Sequence, residues 1–136
     1  MTGSPPKTVN STLQAIGNTP LVKLNRIVPE GSADIYVKLE FYNPTGSKKD
    51  RMALGMIEGA EARGELIEGM SVVEYSGGST GASLAFICAI KGYHFHIISG
   101  DCFGQEKLDT MNAFGADLEV IKSPDGKITS EVIQSM

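Results

Sequence analysis

The sequence predicts an α/β fold built on a parallel sheet. Beyond residue 70, short runs rich in branched and aromatic residues alternate with segments of helical length. The helical segments close on glycines, at positions 64, 92 and 115. Successive strands are separated by a helix rather than a tight turn, and parallel pairing needs a crossover of that kind.

Taken in order, Met1 to Lys7 is polar and Pro-rich, and residues 1–11 read as a flexible leader without the apolar run of a signal peptide. Leu21 to Ile27 alternates as a short edge strand would, and Ile35 to Leu39 is a stronger strand. After Pro44 the period changes: Met52, Ala53, Met56, Ile57 and Ala60 fall on one helical face. That helix is expected to start at Lys48 or Lys49 and to end near Arg63, with Gly64 beyond it. Then follow a strand at Ser71–Glu74, a helix at Thr80–Lys91, a strand at Phe95–Ser99, a helix at Gln105–Phe114 and a strand at Leu118–Ile121. Ser130 to Met136 opens a further helix that the chain end cuts short, as in part of a longer fold.

Hydrophobic residues make up 41% and charged residues 21% of 136 residues, which is globular and enough for one domain with its own core. The net charge of −4 offers no basic patch for a nucleic acid. The longest apolar stretch, Ala82 to Ile90, is too short for a bilayer and is interrupted by Ser83, so no membrane association is expected. Two cysteines, Cys88 and Cys102, make no disulfide framework. His94 and His96 face the same side of a strand, but no third metal ligand stands out near them.

Two segments carry chemistry. Asn43-Pro44-Thr45-Gly46-Ser47-Lys48-Lys49-Asp50-Arg51 turns from a strand into a helix. A lysine at a helix start meets the positive end of the helix dipole, which with burial lowers its pKa and favours a nucleophilic amine. The alternative is a solvated charge cluster. Glu74-Tyr75-Ser76-Gly77-Gly78-Ser79-Thr80-Gly81 runs from a strand through a Gly-rich turn into a helix, where free N–H groups and hydroxyls can receive a phosphate or carboxylate. It is neither a Walker loop nor a GxGxxG turn; the alternative is a plain strand-to-helix turn capped by Ser79.

Together these segments resemble the pyridoxal-phosphate (PLP) dependent cysteine synthase (O-acetylserine sulfhydrylase) family, close to cystathionine β-synthase. Ile16 to Val22 resembles its IGNTPLV opening, Asn43 to Arg51 its NPxGSxKDR segment, Ser76 to Gly81 its TSGNTG loop, and Phe114 to Asp117 its FGAD segment. The likeness runs from about Thr12 to the chain end. It implies the parallel βαβ architecture of PLP fold type II, tryptophan-synthase-β-like, present in its N-terminal part, with a smaller mobile subdomain within about 50–136. It implies that Lys49 is the Schiff-base lysine and the acid/base at the substrate α-carbon. Ser76, Gly77, Gly78 and Thr80 would hold the substrate carboxylate, and Ser79 would meet the cofactor's ring hydroxyl. This chain departs from the family pattern at Ser79, where Asn is usual, at Gly77, where Ser is usual, and at Lys48, where a small or apolar residue is usual.

The implied activity is PLP-dependent β-replacement, forming cysteine from O-acetylserine and sulfide on a small amino-acid substrate. The altered loop keeps a rival open: β-elimination or deamination of serine, threonine or a D-amino acid. A degenerate, cofactor-free relative is the third reading. The resemblance also implies a cytoplasmic homodimer when full length, with the phosphate cup and the partner of the pyridine nitrogen in the C-terminal half. Gly100 and Gly104 flank Asp101, and Gly126 stands beside Asp125, so neither offers a phosphate cup here.

Overall fold

The computed structural model describes residues 8–123 together with residues 126, 129, 130 and 134. Residues 1–7 of the expected leader lie outside these. Ser11 opens a 3-10 turn at Thr12–Ala15, its Oγ accepting the Leu13 N–H at 3.2 Å. Ser130 and Gln134 are helical; the other residues of the expected last helix lie outside those described.

A parallel sheet of β3 (Ser71–Tyr75), β4 (His94–Gly100) and β5 (Asp117–Ile121) carries the fold, in that spatial order. The expected βαβ rhythm is present: α2 (Ser79–Lys91) links β3 to β4, and α3 (Gln105–Ala113) links β4 to β5. The helix α1 (Lys49–Ala62) precedes the sheet and packs on α2. Gly64, Gly92 and Gly115 take φ of 71°, 80° and 81°, a region that costs other residues strain, and so release the chain from each helix.

The earlier strands do not join this sheet. β1 (Leu21–Lys23) and β2 (Tyr36–Lys38) are shorter than expected and pair with each other, antiparallel, as a separate two-stranded ribbon with Val22 opposite Val37.

The core centres on α2. Its residues Gly81 to Cys88 are all buried, so the helix is covered on every side. In β4, Phe95, Ile97 and Ser99 are buried while His94, His96 and Ile98 alternate away from the core. Leu84, Ile87, Ile97 and Met111 are fully buried, each worth about 1.5–3 kcal/mol of apolar transfer. The rings of Phe86 and Phe114 meet edge-on, with centroids 5.4 Å apart. On the other face of the sheet His96 lies between Asp117 (2.8 Å) and Glu119 (3.8 Å). No three metal-binding side chains converge among the described residues.

Candidate functional site

The site is built from the two helix N-termini that the sequence singled out. Lys49 is the first residue of α1. Its N–H donates to Ser47 Oγ at 3.1 Å, which satisfies one of the helix's open donors. Lys49 is half-buried, whereas Lys48 beside it is exposed. Among the described residues no carboxylate pairs with the Lys49 amine. The adjacent acid, Asp50, turns inward instead.

Asp50 is fully buried and fully used. It accepts the Thr45 N–H at 2.8 Å, the Thr45 hydroxyl at 2.5 Å and the Ser83 hydroxyl at 2.6 Å. Ser83 belongs to α2, so this carboxylate joins the opening turns of α1 and α2. A buried carboxylate persists only when its lone pairs are satisfied, and three donors do that here. The serine that interrupts the long apolar run is therefore the anchor of the Lys49 turn.

A second polar cluster holds the same turn from outside. Glu40 follows β2 and receives Arg51 through both oxygens, Nε at 3.0 Å and the terminal nitrogen at 3.1 Å. Thr19 adds a hydroxyl bond at 2.7 Å and Asn43 an amide bond at 2.9 Å. Arg51 first, then Thr19, holds the Glu40 carboxyl down at about 2. Asn43 Oδ1 accepts the Gly17 N–H at 2.9 Å, and Lys38 Nζ donates to the Thr19 carbonyl. The 16–22 and 43–51 segments are thus two halves of one clasp around the start of α1.

The Gly-rich loop joins β3 to α2. The helix begins at Ser79, one residue earlier than expected, and its N-cap is Gly78 without a capping side chain. Ser76 supplies the cap instead: its Oγ accepts the N–H of Gly81 at 3.1 Å and of Gly78 at 3.4 Å. Ser76 thus shapes the loop through its lone pairs and keeps its own O–H free to donate, and further open donors follow it. Neither the N–H nor the hydroxyl of Ser79 and Thr80 has a partner among the described residues. Donors left free at a helix N-terminus favour an anion. Gly77 is buried and Gly78 half-buried, with open space where a Gly78 side chain would stand.

These are the residues that a lysine-bound cofactor and a carboxylate need: an unpaired, half-buried amine and a loop of unused donors, clamped together. The family model described as "Pyridoxal-phosphate dependent enzyme" matches residues 12–134.

The chain belongs to that PLP-dependent enzyme family.

Relatives in the family narrow the likeness further. The chain is 47% identical over 112 residues to a cysteine synthase of Staphylococcus aureus, covering 82% of this chain and 36% of that protein. It is 47% identical over 117 residues to cysteine synthase B of Escherichia coli, covering 85% and 39%. Among solved structures, a hydrogen sulfide-producing enzyme of Fusobacterium nucleatum superposes with a TM-score of 0.84 at 38% identity, covering 96% of this chain and 41% of that one. O-ureido-L-serine synthase superposes with a TM-score of 0.82 at 38% identity, covering 95% and 40%. The chain thus spans less than half the length of the relatives it matches. Its parallel α/β architecture is that of the PLP fold type II enzymes, and PLP is the family's cofactor.

Residue patterns alone did not find the supports of this site. Asp50 had a local signal, since an acid suits the first turn of a helix. Ser83 had one too, as a polar residue inside an apolar run. Glu40 had none. A groove between α1 and β3, lined by Met56, Ile57, Ala60, Leu66, Val72 and Leu84, is mostly apolar and includes neither Lys49 nor the loop.

Proposed function

We propose that this chain is the lysine-bearing, carboxylate-binding part of a PLP-dependent enzyme that makes cysteine from O-acetylserine and sulfide. The observation that carries the reading is the Asp50–Ser83 bond, which fastens the unpaired Lys49 to the helix whose first turn offers the free donors of Ser79 and Thr80. PLP, when bound, supplies the electron sink for bond breaking at the substrate α-carbon. Lys49 Nζ holds the cofactor and moves the proton at that carbon. The substrate carboxylate is received by the 76–80 loop, with Ser76, Gly77, Gly78 and Thr80 lining it and the Ser76 oxygen also holding the loop's shape. Ser79 would hold the cofactor's ring hydroxyl, with a shorter reach than asparagine. The cysteine synthase relatives support the choice of reaction. The whole protein is read as a cytoplasmic homodimer acting on a small amino acid.

A second reading keeps the site and changes the outcome to β-elimination or deamination of serine, threonine or a D-amino acid. It is favoured by the changes at Gly77 and Ser79, and by the likeness to an enzyme that produces hydrogen sulfide. Visible absorbance of the purified full-length protein, which brings the expected phosphate cup, comes first, because a degenerate relative would carry no cofactor. Cysteine formation from O-acetylserine plus sulfide, set against keto-acid release from serine or threonine, then decides. Keto-acid release without cysteine formation would overturn the first reading.

A further inference from the structure

The loop after β4 reaches over the loop after β3. Both leave the carboxyl ends of parallel strands, where ligands bind in open α/β sheets. A Cβ built on Gly77 would fall inside the ring of Phe103. The φ of Gly77 is not in the left-handed region, so glycine is required there by space rather than by backbone conformation. Phe103 is held in place: its N–H donates to the Gly100 carbonyl at 3.3 Å. Its turn is tied to the end of β5, where the Asp101 carboxylate accepts the Ser123 N–H at 3.0 Å and hydroxyl at 2.8 Å.

We propose that Phe103 is the positioning residue of the carboxylate loop, filling the volume that a side chain at Gly77 would take and so fixing where the donors of Ser79 and Thr80 stand. This rests on the carboxylate reading of the loop given above. The pair is a steric exchange. With a side chain at 77 the ring must leave, and without the ring the loop loses its wall. Phe103 acts on substrate only through the loop, so its loss weakens carboxylate binding and leaves the turnover step largely intact.

The test uses the cofactor-loaded full-length protein with L-alanine, which has the carboxylate but no leaving group, titrated by calorimetry. Phe103→Ala and Gly77→Ser are each expected to weaken L-alanine binding by about tenfold, the scale of cavity or overpacking changes. The double variant is expected to recover most of that loss, because the serine fits the space the ring vacates. In steady-state assays Phe103→Ala should raise KM with kcat within about threefold of wild type. Additive losses in the double variant, or an unchanged KM in Phe103→Ala, would overturn the proposal and leave the carboxylate reading standing. A wild-type protein that holds PLP but binds no α-amino acid would sink that reading, and the role of Phe103 with it.

Discussion

Asp50 and Ser83, 33 residues apart, are joined by a 2.6 Å hydrogen bond inside the core, and both are fully buried. The bond fixes the start of α1 against α2. Ser83→Ala removes one of the three donors on a buried carboxylate, and the loss of one such partner costs about 1–3 kcal/mol. Urea unfolding of the two proteins measures it. The same variant should release PLP faster, because the Lys49 turn is less well held. Wild-type stability in Ser83→Ala would show that Asp50 does not need this donor.

Lys49 and Lys48 should behave as opposites. Lys49→Ala is expected to abolish the visible cofactor absorbance with the far-ultraviolet circular dichroism unchanged. Lys48→Ala, at the exposed position, should keep the absorbance. Borohydride reduction followed by peptide mapping identifies the lysine, and a pyridoxyl group found on Lys48 would reverse the assignment.

The Glu40–Arg51 clasp predicts sensitivity to acid. The Glu40 carboxyl lies at about 2 in the folded protein against 4.5 for a free glutamate, with the Arg51 hydrogen bond as the main cause. A carboxyl depressed by folding adds stability above its unfolded value, and that stability is lost as pH falls through the window from 4.5 to about 2. Glu40→Gln should flatten this part of the stability curve while leaving its other acid transitions. Unfolding midpoints measured across the window check it, and an identical slope in wild type and variant would remove Glu40 as the cause.

The glycines of the loop should separate by role. Gly81→Ala would place its Cβ 2.5 Å from Ile97 Cδ1 and 2.7 Å from Met111 Sδ, so it should destabilise by about 1–3 kcal/mol. Gly78 has φ of −132° and nothing within 4 Å of a new Cβ, so Gly78→Val should fold normally. Its branched side chain would stand in the open space beside the loop's donors, and the expected loss is in amino-acid binding alone. Thermal melts with and without L-alanine distinguish the two, and a Gly78→Val protein that is unstable without ligand would contradict the assignment.

Ser79→Asn, which restores the family's residue, should strengthen cofactor retention if the shorter serine leaves the ring hydroxyl out of reach. The rate at which an apo-protein acceptor strips PLP gives the comparison. Weaker retention would mean that the loop is tuned around serine.

The sequence by itself determined what local pattern can encode. The period of α1, the helices α2 and α3, the glycines that end them, and three strands to within one residue of their starts were legible because each rests on neighbours a few residues apart. The two chemical segments were legible because their short runs resemble those of a family. Only the tertiary structure decided that β1 and β2 pair with each other outside the parallel sheet, since their alternation fits either sheet equally. Only it showed that Ser76 accepts the N–H groups of its own loop, that Asp50 reaches Ser83, and that Phe103 fills the space beside Gly77. Buried polar satisfaction and steric exclusion are settled between residues far apart in the chain, and packing alone brings those residues together.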